Sequence, residues 1–237
     1  MVGVLDRIGL LELVPYGLIL LLIVFLMSRE PHMSGTLLIL AGAAVVLFAA
    51  GIKLRWFALG ASALVGLLLL VMQDYQSTRI LVWQDHWSYK QDGGWQIIQS
   101  LYAIGSGGLL GLGLGKSRQK FLYLPEPEND FIFAIVCEEL GLIGATVIML
   151  LFAALILRGF RIALHARDRF GSLMVVGVVT LVGLQTFLNI GVVTGLLPTT
   201  GISLPFFSYG GTALSIQLAE MGVVLSVSRQ MKPTRAG

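Results

Sequence analysis

Three cations alternate along the chain at Lys116, Arg118 and Lys120, and a carboxylate, Asp130, follows at the head of a long apolar run. Arginine offers a phosphate a rigid fork of donors and lysine a mobile point charge. A carboxylate at a helix N-terminus is favoured in its ionised form. Beside a membrane, such a grouping suits one chemical task, which is to hold an anionic, lipid-linked sugar diphosphate while a hydroxyl is deprotonated for attack. The same residues read equally well as charges that solvate a loop and snorkel at its edge. Spacing alone leaves both readings open.

Two further acids, Glu138 and Glu139, lie inside the apolar run itself. At ~1.5 Å per residue they sit roughly 12 Å beyond Asp130 along a helix. Carboxylates at that depth are costly unless they face the bundle interior, meet a cation or are protonated. Being adjacent, they point in different directions, so at most one shares the face of Asp130. At least one is expected to belong to a polar network. Glu220, in the last apolar run, raises the same question with less context. Gln185 and Asn189 stand at i, i+4 on one helical face, a spacing that serves hydrogen bonding between membrane helices. Between two apolar runs, residues 196–211 carry Pro198 and Pro205 among several glycines. Such a break at membrane depth requires backbone that is buried in protein or lines a cavity; a simple turn is the alternative.

Other signals exclude more than they support. The run 111–115 (GLGLG) has no strand–helix context for a dinucleotide fingerprint, and Lys116-Ser117 only echoes a P-loop. His32, His86 and His165 are scattered without ligand spacing. One cysteine, Cys137, permits neither an intrachain disulfide nor a cysteine-based metal site.

The elements that must position these groups are membrane spans. Of 237 residues 56% are hydrophobic and 12% charged, with mean hydropathy +0.87. A soluble domain carries about a quarter charged residues, so most of this exterior must face lipid. The expected fold is an all-α integral membrane protein, a polytopic bundle of about six transmembrane helices. Residues 1–237 form a single membrane domain, with spans near 11–27, 36–52, 56–72, 131–157, 172–196 and 206–228. The first span reads as retained and not as a signal peptide. Lys53 and Arg55, then Arg158, Arg161, Arg167 and Arg169, then Arg229, Lys232 and Arg235 all fall on one side of such a bundle together with the N-terminus. The positive-inside rule makes that side cytoplasmic. Residues 73–130 then form one large outer loop, in which Trp83, Trp87, Tyr89, Trp95 and Tyr102 suit an interfacial helix. The net charge of +3 is explained by these loop cations and requires no nucleic acid.

Three blocks carry a family resemblance: GWQIIQSLYAIGSGGLLGLGLGKSRQK at 94–120, YLPEPENDFIFAIVCEELG at 123–141 and NIGVVTGLLPTTGISLPFFSYGG at 189–211. They resemble the SEDS family (shape, elongation, division and sporulation; FtsW, RodA and SpoVE), with the third block nearer the FtsW and SpoVE side. The resemblance covers the last six of the ten spans usual in that family. It implies a peptidoglycan glycosyltransferase that polymerises lipid II on the outer face of the plasma membrane, in cell division, cell shape or sporulation. It assigns Asp130 as the general base, and Lys116, Ser117, Arg118 and Lys120 to the departing undecaprenyl diphosphate, with room for a divalent cation such as magnesium or manganese. Glu138, Glu139, Gln185, Asn189, Ser208 and Tyr209 would line the cavity or its hydrogen-bond network. Implied partners are a class B penicillin-binding transpeptidase and other division or sporulation membrane proteins. His32 stands where many relatives carry an acid, so no role is carried to it. Two other classes compete: a flippase for lipid-linked precursors, which needs polar groups through the whole membrane depth, and a truncated, non-catalytic membrane scaffold.

Overall fold

The computed structural model describes residues 10–29, 33–53, 56, 60, 74–119 and 129–231. Almost all of the third expected span, together with Lys120 and residues 121–128, lies outside them. Among the described residues the regular structure is all helical, without a strand. In chain order they form α1 (Leu10–Arg29), α2 (Met33–Ala49), α3 (Asp74–Gln84), α4 (Trp95–Gly107), α5 (Ile132–Leu164), α6 (Arg169–Val193) and α7 (Gly211–Arg229). A single π-turn, Lys90–Gly94, joins α3 to α4. Among the described residues α5, α6 and α7 are long and apolar enough to cross a membrane, and α1 and α2 contain shorter apolar stretches.

Helix α6 is the central element, packed against α2, α5 and α7, while α4 lies along α5. Small residues set these spacings. A side chain at Gly159 would strike Val179, and one at Gly42 would strike Leu181, so backbones approach closely as they do at lipid-embedded helix contacts. Asp168 caps α6 by accepting from the Gly171 amide at 2.9 Å, which satisfies one of the orphan donors of the first turn. Near the end of the bundle that holds Asp130, Phe131, Phe133, Ala134, Cys137, Val193 and Leu204 form one buried cluster; Ile162, Ala163, Val175, Val179 and Val224 form another toward the opposite end. Leu142, Leu150, Leu151 and Leu157 on α5 are exposed, as expected of surface that meets lipid.

The apolar run 131–157 is not one uninterrupted helix. At Gly141 the backbone takes φ 67, ψ −172, which divides α5 into a short first segment and a long second one. The groups freed by this break are taken up by the glycine-rich run after α4. The Leu112 and Gly113 amides donate to the carbonyls of Glu138 and Glu139, each at 3.0 Å. In return, the Leu142 amide donates to the Gly108 carbonyl at 2.9 Å and that of Ile143 to Leu109 at 3.2 Å. Backbone groups at membrane depth must be paired internally, and here a loop does the pairing. It can do so because neither partner carries a Cβ at the contact. A Cβ at Gly111 would lie 2.2 Å from the Glu139 carbonyl oxygen, and one at Gly141 would lie 2.3 Å from the Gly111 nitrogen. Gly111 itself needs φ +78, a region costly to other residues.

Candidate functional site

Asp130 lies just ahead of α5, partly buried, in a frame made by α6 and the loop that follows it. Asn189, fully buried on α6, donates from Nδ2 to the Asp130 carbonyl at 2.7 Å and to the Ile202 carbonyl at 2.9 Å. Ser208 donates from Oγ to the carbonyl of Asn129 at 2.8 Å. The carboxylate reaches Gly201, where a Cβ would stand 3.5 Å from Asp130 Oδ2. The backbone on which the acid is mounted is thereby tied to two elements distant in sequence.

The loop 194–210 that forms the other side of this frame is irregular, and side chains from the preceding helices satisfy its carbonyls. Arg79 of α3 donates from Nη1 to Thr199 at 3.0 Å and Trp83 from Nε1 to Gly195 at 2.9 Å; just before the loop, Ser100 of α4 donates from Oγ to Val193, the last residue of α6, at 2.7 Å. At its far end the Phe206 amide donates to Gln217 Oε1 of α7 at 2.9 Å. Phe206 holds a left-handed φ of 65, uncommon for a bulky residue and indicative of strain. Its ring stacks on Phe152, with centroids 6.5 Å apart. The buried Asn189 Oδ1 and Thr200 Oγ1 accept no hydrogen bond among the described residues.

The cationic turn is built on the first segment of α5. Glu138 is 1% exposed, and both its oxygens are engaged. Ser117 donates its hydroxyl to Oε2, the Arg118 amide donates to Oε1 at 3.1 Å, and the Gln119 amide to Oε2 at 3.4 Å. Glu139 accepts from the Ser117 amide at 3.4 Å. Ser117 is buried, whereas Lys116 and Arg118 on either side of it are exposed. Among the described residues the two acids are thus satisfied by donors of a loop.

Among the sequence candidates, the structure brings Asp130, Asn189 and Ser208 together at the head of α5. It brings Ser117, Glu138 and Glu139 together a little over two turns further along. Gln185 is half-buried on α6, one turn from Asn189, and Tyr209 is 80% exposed and turned away from this network. Sequence reasoning missed Arg79, Ser100, Gly201 and Gln217, and it treated Trp83 as a belt residue. A cation and a tryptophan four residues apart on α3 were the available signal, since that spacing shares a helix face. Elsewhere, between α3 and α4, hydrogen bonds from the side chain and amide of Ser88 hold the Asp85 carboxyl below the usual carboxylate range. No group of three acidic, histidine or cysteine side chains among the described residues could cage a metal ion. The Glu138 oxygens are already engaged by the turn.

Comparison with known proteins agrees with this architecture. The family model FTSW_RODA_SPOVE, described as "Cell cycle protein", matches residues 7–233. Stage V sporulation protein E of Bacillus subtilis is 48% identical over 217 residues, which cover 90% of this chain and 58% of that protein. A Geobacter sulfurreducens protein named "Probable peptidoglycan glycosyltransferase FtsW" is 46% identical over 220 residues, 92% of this chain and 59% of that one. The chain therefore spans a little under three fifths of the curated relatives it matches. Among solved structures, one described as "Structural coordination of polymerization and crosslinking by a peptidoglycan synthase complex" matches with TM-score 0.70 and 29% identity, over 92% of this chain and 62% of that one. A mutant of the Thermus thermophilus rod shape determining protein RodA matches with TM-score 0.62 and 28% identity, over 95% and 59%. On the family match across nearly its whole length and on these identities, the chain is a polytopic helical membrane protein that belongs to the FtsW/RodA/SpoVE family.

Proposed function

We propose that the protein is a peptidoglycan glycosyltransferase that polymerises lipid II, with Asp130 as general base and the turn carrying Lys116 and Arg118 as the seat of the lipid diphosphate. The observation that carries this reading is the order of the two groups along α5. Asp130 stands at its head, and the clasped turn lies at the level of Glu138, roughly 12 Å along the helix at ~1.5 Å per residue. A lipid-linked glycan has the same order: tail, diphosphate, sugar. With the diphosphate on the cations, the reacting sugar extends toward Asp130.

In the reaction, the Asp130 carboxylate takes the proton of the acceptor sugar's 4-hydroxyl, and that oxygen attacks the anomeric carbon of the donor glycan. The bond from that carbon to the phosphate oxygen breaks, and undecaprenyl diphosphate departs with the electron pair. General-base assistance of this kind contributes roughly 10²–10⁴-fold in rate. Lys116 and Arg118 neutralise charge that grows on the leaving diphosphate, so they stabilise the transition state more than the ground state. Lys120, close by in sequence, would add a third cation. The name of the Geobacter sulfurreducens relative supports the reaction class. The solved synthase complex supports a membrane partner that cross-links the product, a class B penicillin-binding transpeptidase. The loop cations support an orientation with residues 73–130 outside and both ends of the chain in the cytoplasm.

The test is Asp130→Asn in purified protein supplied with lipid II. Glycan polymer should fall by at least about a hundredfold, with membrane insertion and abundance unchanged. Polymerisation at the parental rate would remove Asp130 from the mechanism. Translocation of lipid II across vesicles without any polymer would assign the protein to the carriers instead.

A further inference from the structure

We infer that Glu138 is a positioning residue for the lipid diphosphate: a buried carboxylate whose task is to fix the turn that presents Lys116 and Arg118. The inference rests on the polymerase reading above and adds to it a residue that touches no substrate. Three donors converge on this one side chain, namely the Ser117 hydroxyl and the amides of Arg118 and Gln119, and Glu139 takes the Ser117 amide. A carboxylate is acceptor-only, so it meets such a set without conflict. A glutamine of the same shape turns an N–H₂ toward one or more of these donors.

The geometry also separates what is held from what is offered. Ser117 is 2% exposed and faces the acids, while the residues flanking it project the opposite way and are exposed. Glu138 therefore fixes the height and direction of two cations without competing for the anion they would bind. The helix break assists. The carbonyls of Glu138 and Glu139 receive the Leu112 and Gly113 amides, so the same two residues hold the loop by backbone before the turn and by side chain at it.

The experiment compares wild type, Glu138→Gln, the pair Lys116→Ala with Arg118→Ala, and all three changes together, using the full chain in membranes. Two quantities are measured: KM and kcat for lipid II polymerisation, and the direct affinity for inorganic pyrophosphate. Glu138→Gln should raise KM and weaken pyrophosphate binding by about tenfold, the size expected for misplacing a charge-assisted contact, with a smaller effect on kcat. In the background lacking both cations it should add less than about twofold, because an effect transmitted through absent groups cannot recur. A merely structural role would lower activity equally in both backgrounds, and that outcome overturns the inference, as do parental KM and affinity in Glu138→Gln. Should Glu138→Gln not accumulate, Ser117→Ala removes one bond and leaves the acid in place; unchanged pyrophosphate affinity there also overturns it. If wild type makes no polymer, the polymerase reading fails, yet the pyrophosphate titrations still decide the role of Glu138.

Discussion

Asn189 holds two carbonyls with one amide group, and both belong to segments that frame Asp130. Replacing it with leucine leaves the buried Ile202 carbonyl and the part-buried Asp130 carbonyl without their donor, at roughly 1–3 kcal/mol for the buried one. Asn189→Leu should lower the midpoint of thermal unfolding in detergent and reduce polymerisation, whereas a loop held by other means would leave both unchanged. Sequence reasoning marked Asn189 through its i, i+4 relation to Gln185, but could not tell which of the two carries the load. The spacing names a face; only the position of residues 130 and 202 across the interface says which member of the pair is used. Glu138 and Glu139 were legible as a problem, acids where acids are expensive. Their solution was not, because their partners are one serine hydroxyl and three backbone amides some twenty residues earlier, and amides have no signature in sequence.

At the scale of elements, the glycine-rich run after α4 was legible as a place of tight turns, and the apolar run after Asp130 as a span. Their mutual dependence was hidden, since it lies in the absence of a Cβ at two points that meet in space. Gly141→Ala should be severely damaging. It asks for φ 67, ψ −172, a region essentially reserved for glycine and costing ~1–3 kcal/mol for other residues, and thrusts a methyl against the Gly111 nitrogen and the Leu109 carbonyl. By contrast Gly222→Ala on α7 meets nothing within 4 Å and should be tolerated or mildly stabilising, by up to about 1 kcal/mol from helix propensity. Membrane-fraction abundance of the two variants makes the comparison; equal abundance would mean that the docked loop contributes little. Trp83 marks another limit. An aromatic residue in an outer helix suits the headgroup belt, and nothing local says that its indole N–H reaches Gly195.

For the whole molecule, the helical membrane character followed from composition, because a chain with 12% charged residues has no other solvent to face. The orientation expected from the loop cations makes a separate prediction. With Cys137 buried, single cysteines at Lys90 and at Arg167 can be probed individually. The first should react with a membrane-impermeant maleimide on intact cells and the second only after permeabilisation; the reverse pattern would move Asp130 to the cytosol and end the proposed chemistry. The joint between the glycine run and broken α5 also bears on biogenesis. A span interrupted at Gly141 cannot rest in lipid alone, since the amides of Leu142 and Ile143 and the carbonyls opposite would be stranded there. Residues 107–113 leave the ribosome before residues 138–143, so the backbone groups that pair with the broken span are already synthesised when it emerges.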